Sequence, residues 1–541
     1  MKQKYSLLLI GFLVAVGLAC GSSGEEGPPR NADVVNVVAN TSLMPWLEVV
    51  VSQFNSAEIE TTAGRTVFVT LAGTDAGQAL VDIANGTSPD LWIPDDLVWV
   101  RALAQQGQSQ YQADCVSVAQ SPLVIGMWRP AAESLGWPGR ELGWLDIGSL
   151  AADSSAWAYY SGGQFGQSLR LGHTHPGLSS SGSQTLLALV QAAQSKLEAV
   201  NVGDIQSPIV QASVGAFESA VSTFSPNTAN LAETMSGRGI DYLGAAILYE
   251  SDVLYYGQGE PGLVPIYPFE GTFMATHPAC VNDNGQVEAA KLFRDYLEQA
   301  ESQAVAVRVG LRPVNPNVQI GSPLDAAHGV DLSRPEQIFS SPSVESLYAI
   351  QELWQAARKD VNLVMVIDVS GSMRGDKISN VREAAIQFVG QMGNDDYLSI
   401  LIFSNEVTLI ANHLPVGQNR NQLTQLLSSL EASGDTALYD AIGEGANLID
   451  QTHSLEVTSA LVVLSDGLDT YSFRYNEESI LPLVQNITMF TIGYGSDADE
   501  RLLADLALRG NGNFYQGDVT SIAAIYEELS AAFGGSVGVG R

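Results

Sequence analysis

The chain has 541 residues and a formal net charge of −34, with 45% hydrophobic and 8% aromatic residues. That length exceeds what one hydrophobic core organises, so two or three domains are expected, and the composition is that of folded globular protein. Residues 31–360 hold 14 Lys and Arg against 34 Asp and Glu, and residues 361–541 hold 8 against 23; with no basic face in either part, nucleic acid is not an expected partner.

The N-terminus carries Lys2 and Lys4, then an apolar run SLLLIGFLVAVGLA that ends at Cys20. It is short for a membrane span and has the n-region and h-region of a secretory signal. Followed by GSSGEEGPPRNA, it resembles a bacterial lipoprotein signal (1–20) with a flexible tether (21–32), although Gly17 stands where that family prefers Leu. The resemblance implies lipidation of Cys20, membrane association by lipid anchor only, and an extracytoplasmic location on the bacterial cell membrane. Export leaves Cys115 and Cys280, which form one disulfide or remain separate buried thiols.

From residue 33 to 305 strand-like and helix-like segments alternate. VVNVVAN (34–40) reads as a buried strand, and SLMPWLEVVVSQFNSA as an amphipathic helix with Pro45 near its start. RTVFVTLAGTDAGQALVDIANG repeats the plan with Gly73, Thr74 and Asp75 in the loop; DLWIPDD and SPLVIGM are further short strands. HTHPGLSSSGSQTLLALVQAA feeds a Gly/Ser-rich loop into a helix near Ser181, and AAILYESDVLYY passes from strand to helix at Tyr249. The alternation predicts an α/β fold with largely parallel sheets and binding groups at the carboxyl ends of strands. The order of these segments resembles a type II extracellular solute-binding protein of the molybdate-type branch. That resemblance implies two lobes joined by hinge strands at SPLVIGM and GTFMATH, which would bring Cys115 and Cys280 close together. It also implies a small-molecule or oxyanion ligand held in the cleft by Ser42, Gly73, Thr74, Ser181 and Tyr249, or a scaffold that has lost its ligand.

Prolines punctuate residues 306–360, an ordered connector that ends in a helix over Ser343–Lys359. NLVMVIDV (362–369) then reads as a strand buried on both faces, opening a doubly wound α/β domain over 361–533 before a short tail, 534–541. Its loops supply Asp368, Ser370 and Ser372 in VMVIDVSGSM, Thr436 in SGDTAL, and Asp466 in VVLSDG. Five hard oxygen donors with neither thiol nor imidazole suit Mg²⁺ or Mn²⁺. Two carboxylates leave such a cation incompletely neutralised, so a protein partner can complete the shell with its own carboxylate. The pattern resembles the metal-ion-dependent adhesion site of the von Willebrand factor A domain, a Rossmann-like fold. The resemblance implies direct metal contacts from Ser370, Ser372 and Thr436.

Arg374-Gly375-Asp376 reads as a helix cap, and His173 and His175 as a loop pair rather than a zinc site. No G-x-S-x-G, H-E-x-x-H or phosphate loop is present. The chain therefore reads as a non-enzymatic extracytoplasmic binding protein. The alternatives are an ABC-transporter solute receptor docked through its A domain, and an envelope enzyme or chelatase-like assembly factor.

Overall fold

The computed structural model describes residues 28–533 apart from 453, 455, 456 and 486. The signal segment, Cys20, most of the tether and the tail 534–541 lie outside the described residues. Strand β1 (Asp33–Ala39) pairs in parallel with β2 (Val67–Gly73) and β3 (Leu91–Ile93). The helix between β1 and β2, Met44–Ser56, takes Pro45 in its first turn, where a missing N–H costs nothing. It buries Trp46, Leu47, Val50 and Phe54 on the sheet.

After β4 (Cys115–Ser117) the chain crosses to a second lobe. That lobe holds β5 (Ser121–Trp128), β6 (Leu171–Thr174), β7 (Val221–Ser225), β8 (Ala245–Tyr249), β9 (Leu263–Ile266) and β10 (Met274–Ala275). The chain returns through Thr276 and His277 to β11 (Pro278–Val281) in the first sheet. The sheet orders are β2-β1-β3-β11-β4 and β10-β5-β8-β6-β7, with β9 also on β5. The expected parallel sheets are in fact mixed. β11 runs antiparallel to β3 and β4, and β5 antiparallel to β8, β9 and β10. The two crossings run in opposite directions, so each sheet receives a strand against the sense of its βαβ strands. Cys115 and Cys280 are register partners in the β4–β11 pair and are joined as a disulfide, 165 residues apart in sequence. Closing so long a loop typically stabilises by about 2–4 kcal/mol.

The third sheet, β14-β13-β12-β15-β16-β17, forms the C-terminal domain. Its strands are β12 (Asp360–Asp368), β13 (Tyr397–Phe403), β14 (Val407–Pro415), β15 (Val457–Ser465), β16 (Thr488–Tyr494) and β17 (Asn511–Gly517). All pair in parallel except the edge strand β14. Along β12, Leu363, Met365 and Ile367 enter one core, and Val364 and Val366 the other. This period-two split between two covered faces is why the strand reads as a continuous apolar run.

The connector helix, Val344–Ala357, lies across both lobes. Val344 and Leu347 join the first-lobe core with Trp99 and Tyr111, while Ile350 and Trp354 join the second-lobe core. Ser343 caps it by accepting from the Ser346 N–H, and the Ser346 hydroxyl donates to Val200 O at 2.7 Å. Ahead of the helix, Leu311, Val314 and Asn315 still contact the first lobe, and Gln337 and Phe339 contact the second. Arg312 grips the fully buried Glu250 through Nε and Nη2 at 2.8 and 2.6 Å. The C-terminal domain also touches the second lobe, where Arg238 donates to Gly512 O and to Asn513 Oδ1.

Candidate functional site: an oxygen-donor cluster and a closed cleft

The carboxyl ends of β12 and β15 place Asp368 and Asp466 side by side at the floor of one site, both fully buried. Asp368 Oδ1 accepts the Ser370 N–H at 2.8 Å, and its Oδ2 accepts the Ser465 hydroxyl at 2.7 Å. The Ser370 and Ser372 hydroxyls lie 2.9 Å apart, and Ser372 Oγ donates to Asp466 Oδ1 at 2.7 Å. Burial holds the Asp368 carboxyl above its ordinary range, with the Asp466 charge adding to that effect.

The third loop is sewn to the other two through backbone. Gly371 N donates to Gly434 O at 2.9 Å, and Ser433 N to Val369 O at 2.7 Å. The N–H groups of Thr470 and Tyr471 donate to Thr436 O at 2.8 and 3.1 Å. A Cβ built on Gly467 would stand 3.8 Å from the Thr436 hydroxyl. All five predicted donors therefore meet at one end of the sheet. Asp368, Asp466, Ser370 and Thr436 are buried, while Ser372 is exposed at the mouth.

Among the described residues no three His, Cys, Asp or Glu side chains gather into a metal-binding group. The donor set here is instead two carboxylates and three hydroxyls, which fits a hard divalent cation that keeps part of its shell for other ligands. One neighbour was not anticipated: Lys377 Nζ lies 2.5 Å from Asp466 Oδ2. The sequence signal was its place in the first turn of the helix Asp376–Gln391, directly after the Ser-rich turn. Arg374 and Gly375 are exposed where this helix begins, with Gly375 at φ +78° as its cap.

The residues nominated for the cleft fare differently. Ser42, Ser181 and Tyr249 are buried between the lobes, whereas Gly73 is exposed and Thr74 half-buried. Ser42 Oγ donates across the cleft to Asp252 Oδ2 at 2.7 Å, and Tyr249 OH donates to Asp95 Oδ2 at 2.7 Å. Ser180 also donates to Asp95, and Trp99 Nε1 donates to Ser180. Ser181 Oγ sits among the hydroxyls of Thr174, Ser179 and Thr228 at 2.6, 3.1 and 3.0 Å. Thr41 donates through its hydroxyl and N–H to Asp75 Oδ1 at 2.6 and 3.2 Å. Sequence reasoning placed Asp75 in the loop without assigning it to the cleft and missed Asp95 and Asp252, because nothing in their local patterns distinguishes them from surface acids.

His173 lies in β6 rather than in a loop. It is fully buried, its Nε2 is 2.9 Å from Glu218 Oε1, and Trp354 Nε1 donates to the other Glu218 oxygen at 2.9 Å. His175 packs its ring on Trp354 with centroids 4.5 Å apart. The pair belongs to the contact between the second lobe and the connector helix.

Two lobes joined by crossing strands, followed by a largely parallel sheet with oxygen donors at its carboxyl edge, are the architecture of a solute-binding-like module with an appended Rossmann-like domain. The chain belongs to the bacterial extracellular solute-binding proteins, whose family profile matches residues 35–312, and the von Willebrand factor type A domain matches residues 362–528. Inter-alpha-trypsin inhibitor heavy chain H3 of Mus musculus is 30% identical over 163 residues, covering 28% of this chain and 18% of that protein. The chain thus spans under a fifth of that relative's length. Among solved structures, the sulfate-binding protein SubI of Mycobacterium tuberculosis H37Rv is 17% identical with a TM-score of 0.42, covering 58% of this chain and 96% of that one. A von Willebrand factor type A protein from Catenulispora acidiphila is 20% identical with a TM-score of 0.30, covering 32% and 43%. Among the described residues, no helix is long and apolar enough to cross a membrane.

Proposed function

We propose that this is a non-enzymatic extracytoplasmic binding protein, whose C-terminal domain grips a protein partner through a shared divalent cation, Mg²⁺ or Mn²⁺. Asp368, Ser370, Ser372, Thr436 and Asp466 would hold the cation, and the partner would add a carboxylate. The observation that carries this reading is the meeting of five oxygen donors, with buried carboxylates below and the exposed Ser372 above. A cation in such a site attracts an acidic group that the protein's own charge of −34 would otherwise repel.

The surroundings suit a protein rather than a small ion alone. The loop that follows Asp466 exposes Leu468, Tyr471 and Phe473 at 58%, 49% and 76%. Tyr471 is tied through its N–H to Thr436 O, so this apolar rim stands beside the cation donors. Aromatic and aliphatic side chains around a polar centre are the usual make-up of a protein interface. Lipid anchoring through Cys20 would keep this surface at the cell membrane.

The test has two stages. Calorimetric titration of the EDTA-stripped full chain should show Mg²⁺ binding that Asp466→Ala abolishes. Partner recovery from envelope extract should then require both Mg²⁺ and the intact site. The same set of proteins recovered with Mg²⁺, with EDTA and by Asp466→Ala would refute the cation bridge. A transport receptor would instead show a co-purifying solute and a permease partner.

A further inference from the structure

We infer that the two-lobe module is closed by its own carboxylates: Asp75, Asp95 and Asp252 occupy the cleft in place of an anionic solute, so closure needs no ligand and a free oxyanion is refused. The inference is independent of the cation bridge proposed for the C-terminal domain.

The bonds run in both directions across the cleft. Asp252 of the second lobe takes the Ser42 hydroxyl of the first. Asp95 of the first lobe takes the hydroxyls of Tyr249 and Ser180 from the second. Asp75 of the first lobe accepts from Thr41 of its own lobe through Oδ1, while its buried Oδ2 has no hydrogen-bond partner among the described residues. Hydroxyls and N–H groups at helix starts are the donors an oxyanion would use, and here the hydroxyls of Ser42, Ser180 and Tyr249 already serve carboxyl oxygens. All three acids are at least 97% buried, and among the described residues no Lys or Arg pairs with any of them. An oxyanion entering would meet three carboxyls without a compensating cation, an arrangement that burial makes costly. Burial raises Asp95 and Asp252 to about 7 and Asp75 in the same direction.

Backbone contact shows how tightly the lobes meet. The N–H groups of Gly77 and Gln78 donate to Leu178 O across the cleft at 2.9 and 3.2 Å. A Cβ at position 77 would fall 2.2 Å from Gly177 O, so the approach requires glycine there. The connector then fastens the closed pair from outside, with Ser341, ahead of the helix, donating to Asp96 at 2.6 Å and Gln351 of the helix to Pro176 O at 3.0 Å. Reopening would break the cleft bonds and lift this helix from one lobe.

The test is hydrogen exchange on the full chain, purified without phosphate or sulfate. The Gly77 and Gln78 amides should be protected with no ligand present. Their rates should not change with millimolar sulfate, phosphate or molybdate. Asp252→Ala and Ser42→Ala should each speed that exchange by about tenfold, the equivalent of one lost buried hydrogen bond. Fast exchange in the ligand-free wild type that an anion slows would overturn the inference. So would wild-type rates in both variants. Should a variant fail to fold, the wild-type anion series decides the question by itself.

Discussion

Arg358 ends the connector helix, and its guanidinium reaches Asp396 of the C-terminal domain through Nη1 and Nη2, each at 3.0 Å. Both side chains are nearly enclosed, at 4% and 2% exposure. Asp396 does more than pair, because it also accepts the N–H of Val361 at 2.9 Å and of Gly393 at 2.6 Å. Asp396→Ala leaves a buried guanidinium without its anion and two backbone donors without acceptors. Breaking a buried pair in this way costs about 3–5 kcal/mol. Arg358→Met leaves the carboxylate with its two backbone donors, so its cost should fall below that range, near 2–3 kcal/mol for the lost charged bonds. Native-state hydrogen exchange of the β12 amides reads these differences directly. At about 1.4 kcal/mol per decade, Asp396→Ala should speed exchange by roughly two to three and a half decades, and Arg358→Met by roughly one decade less. Equal effects from the two variants, or less than tenfold for Asp396→Ala, would refute the assignment of Asp396 as the organiser of this junction.

Lys377→Met should tighten Mg²⁺ binding about tenfold by calorimetry, because the cation no longer competes with an ammonium for Asp466; unchanged affinity would show that the lysine is irrelevant to loading. The two-lobe module should lose stability as pH rises from 5 to 7. Asp95 and Asp252 hold their protons up to about 7 when folded, against 3.8 for the model carboxyl, so each withdraws up to about 1.4 kcal/mol per pH unit in that window. All eight Trp lie between residues 46 and 354, so urea unfolding followed by Trp emission isolates this module, and a midpoint that rises with pH would contradict the sign. Gly77→Ala should lower the same midpoint, since its Cβ meets backbone at 2.2 Å and overpacking typically costs about 1–3 kcal/mol.

The oxygen-donor site was legible because strand ends position its residues. Once NLVMVIDV is recognised as a strand buried on both faces, Asp368 must leave it at the carboxyl edge, and VVLSDG delivers Asp466 by the same rule. Thr436 followed from its loop ahead of a helix. The closed cleft was not legible. Whether Asp75, Asp95 or Asp252 meets water or a hydroxyl depends on how two lobes of distant sequence approach, and no local pattern encodes that approach. The mixed sheets escaped for a related reason, since short strands such as Pro278–Val281 show their length but not their direction. Strand β17 hid behind Asn511-Gly512-Asn513, letters that suggest a turn; its pairing with β16 makes it an edge strand.

The connector helix has a mechanical consequence. It runs through Arg358 directly into β12, the strand whose far end presents Asp368. Tension applied at the donor loops therefore travels along β12, which is hydrogen-bonded on one side to β13 and on the other to β15. Strands pulled lengthwise between two parallel neighbours share the load among many bonds in shear, rather than yielding one bond at a time. The force then passes into a helix seated on both lobes, whose hinge strands are cross-linked by Cys115 and Cys280. A load entering at the donor loops is thus spread over two strand pairs before it reaches the lobes.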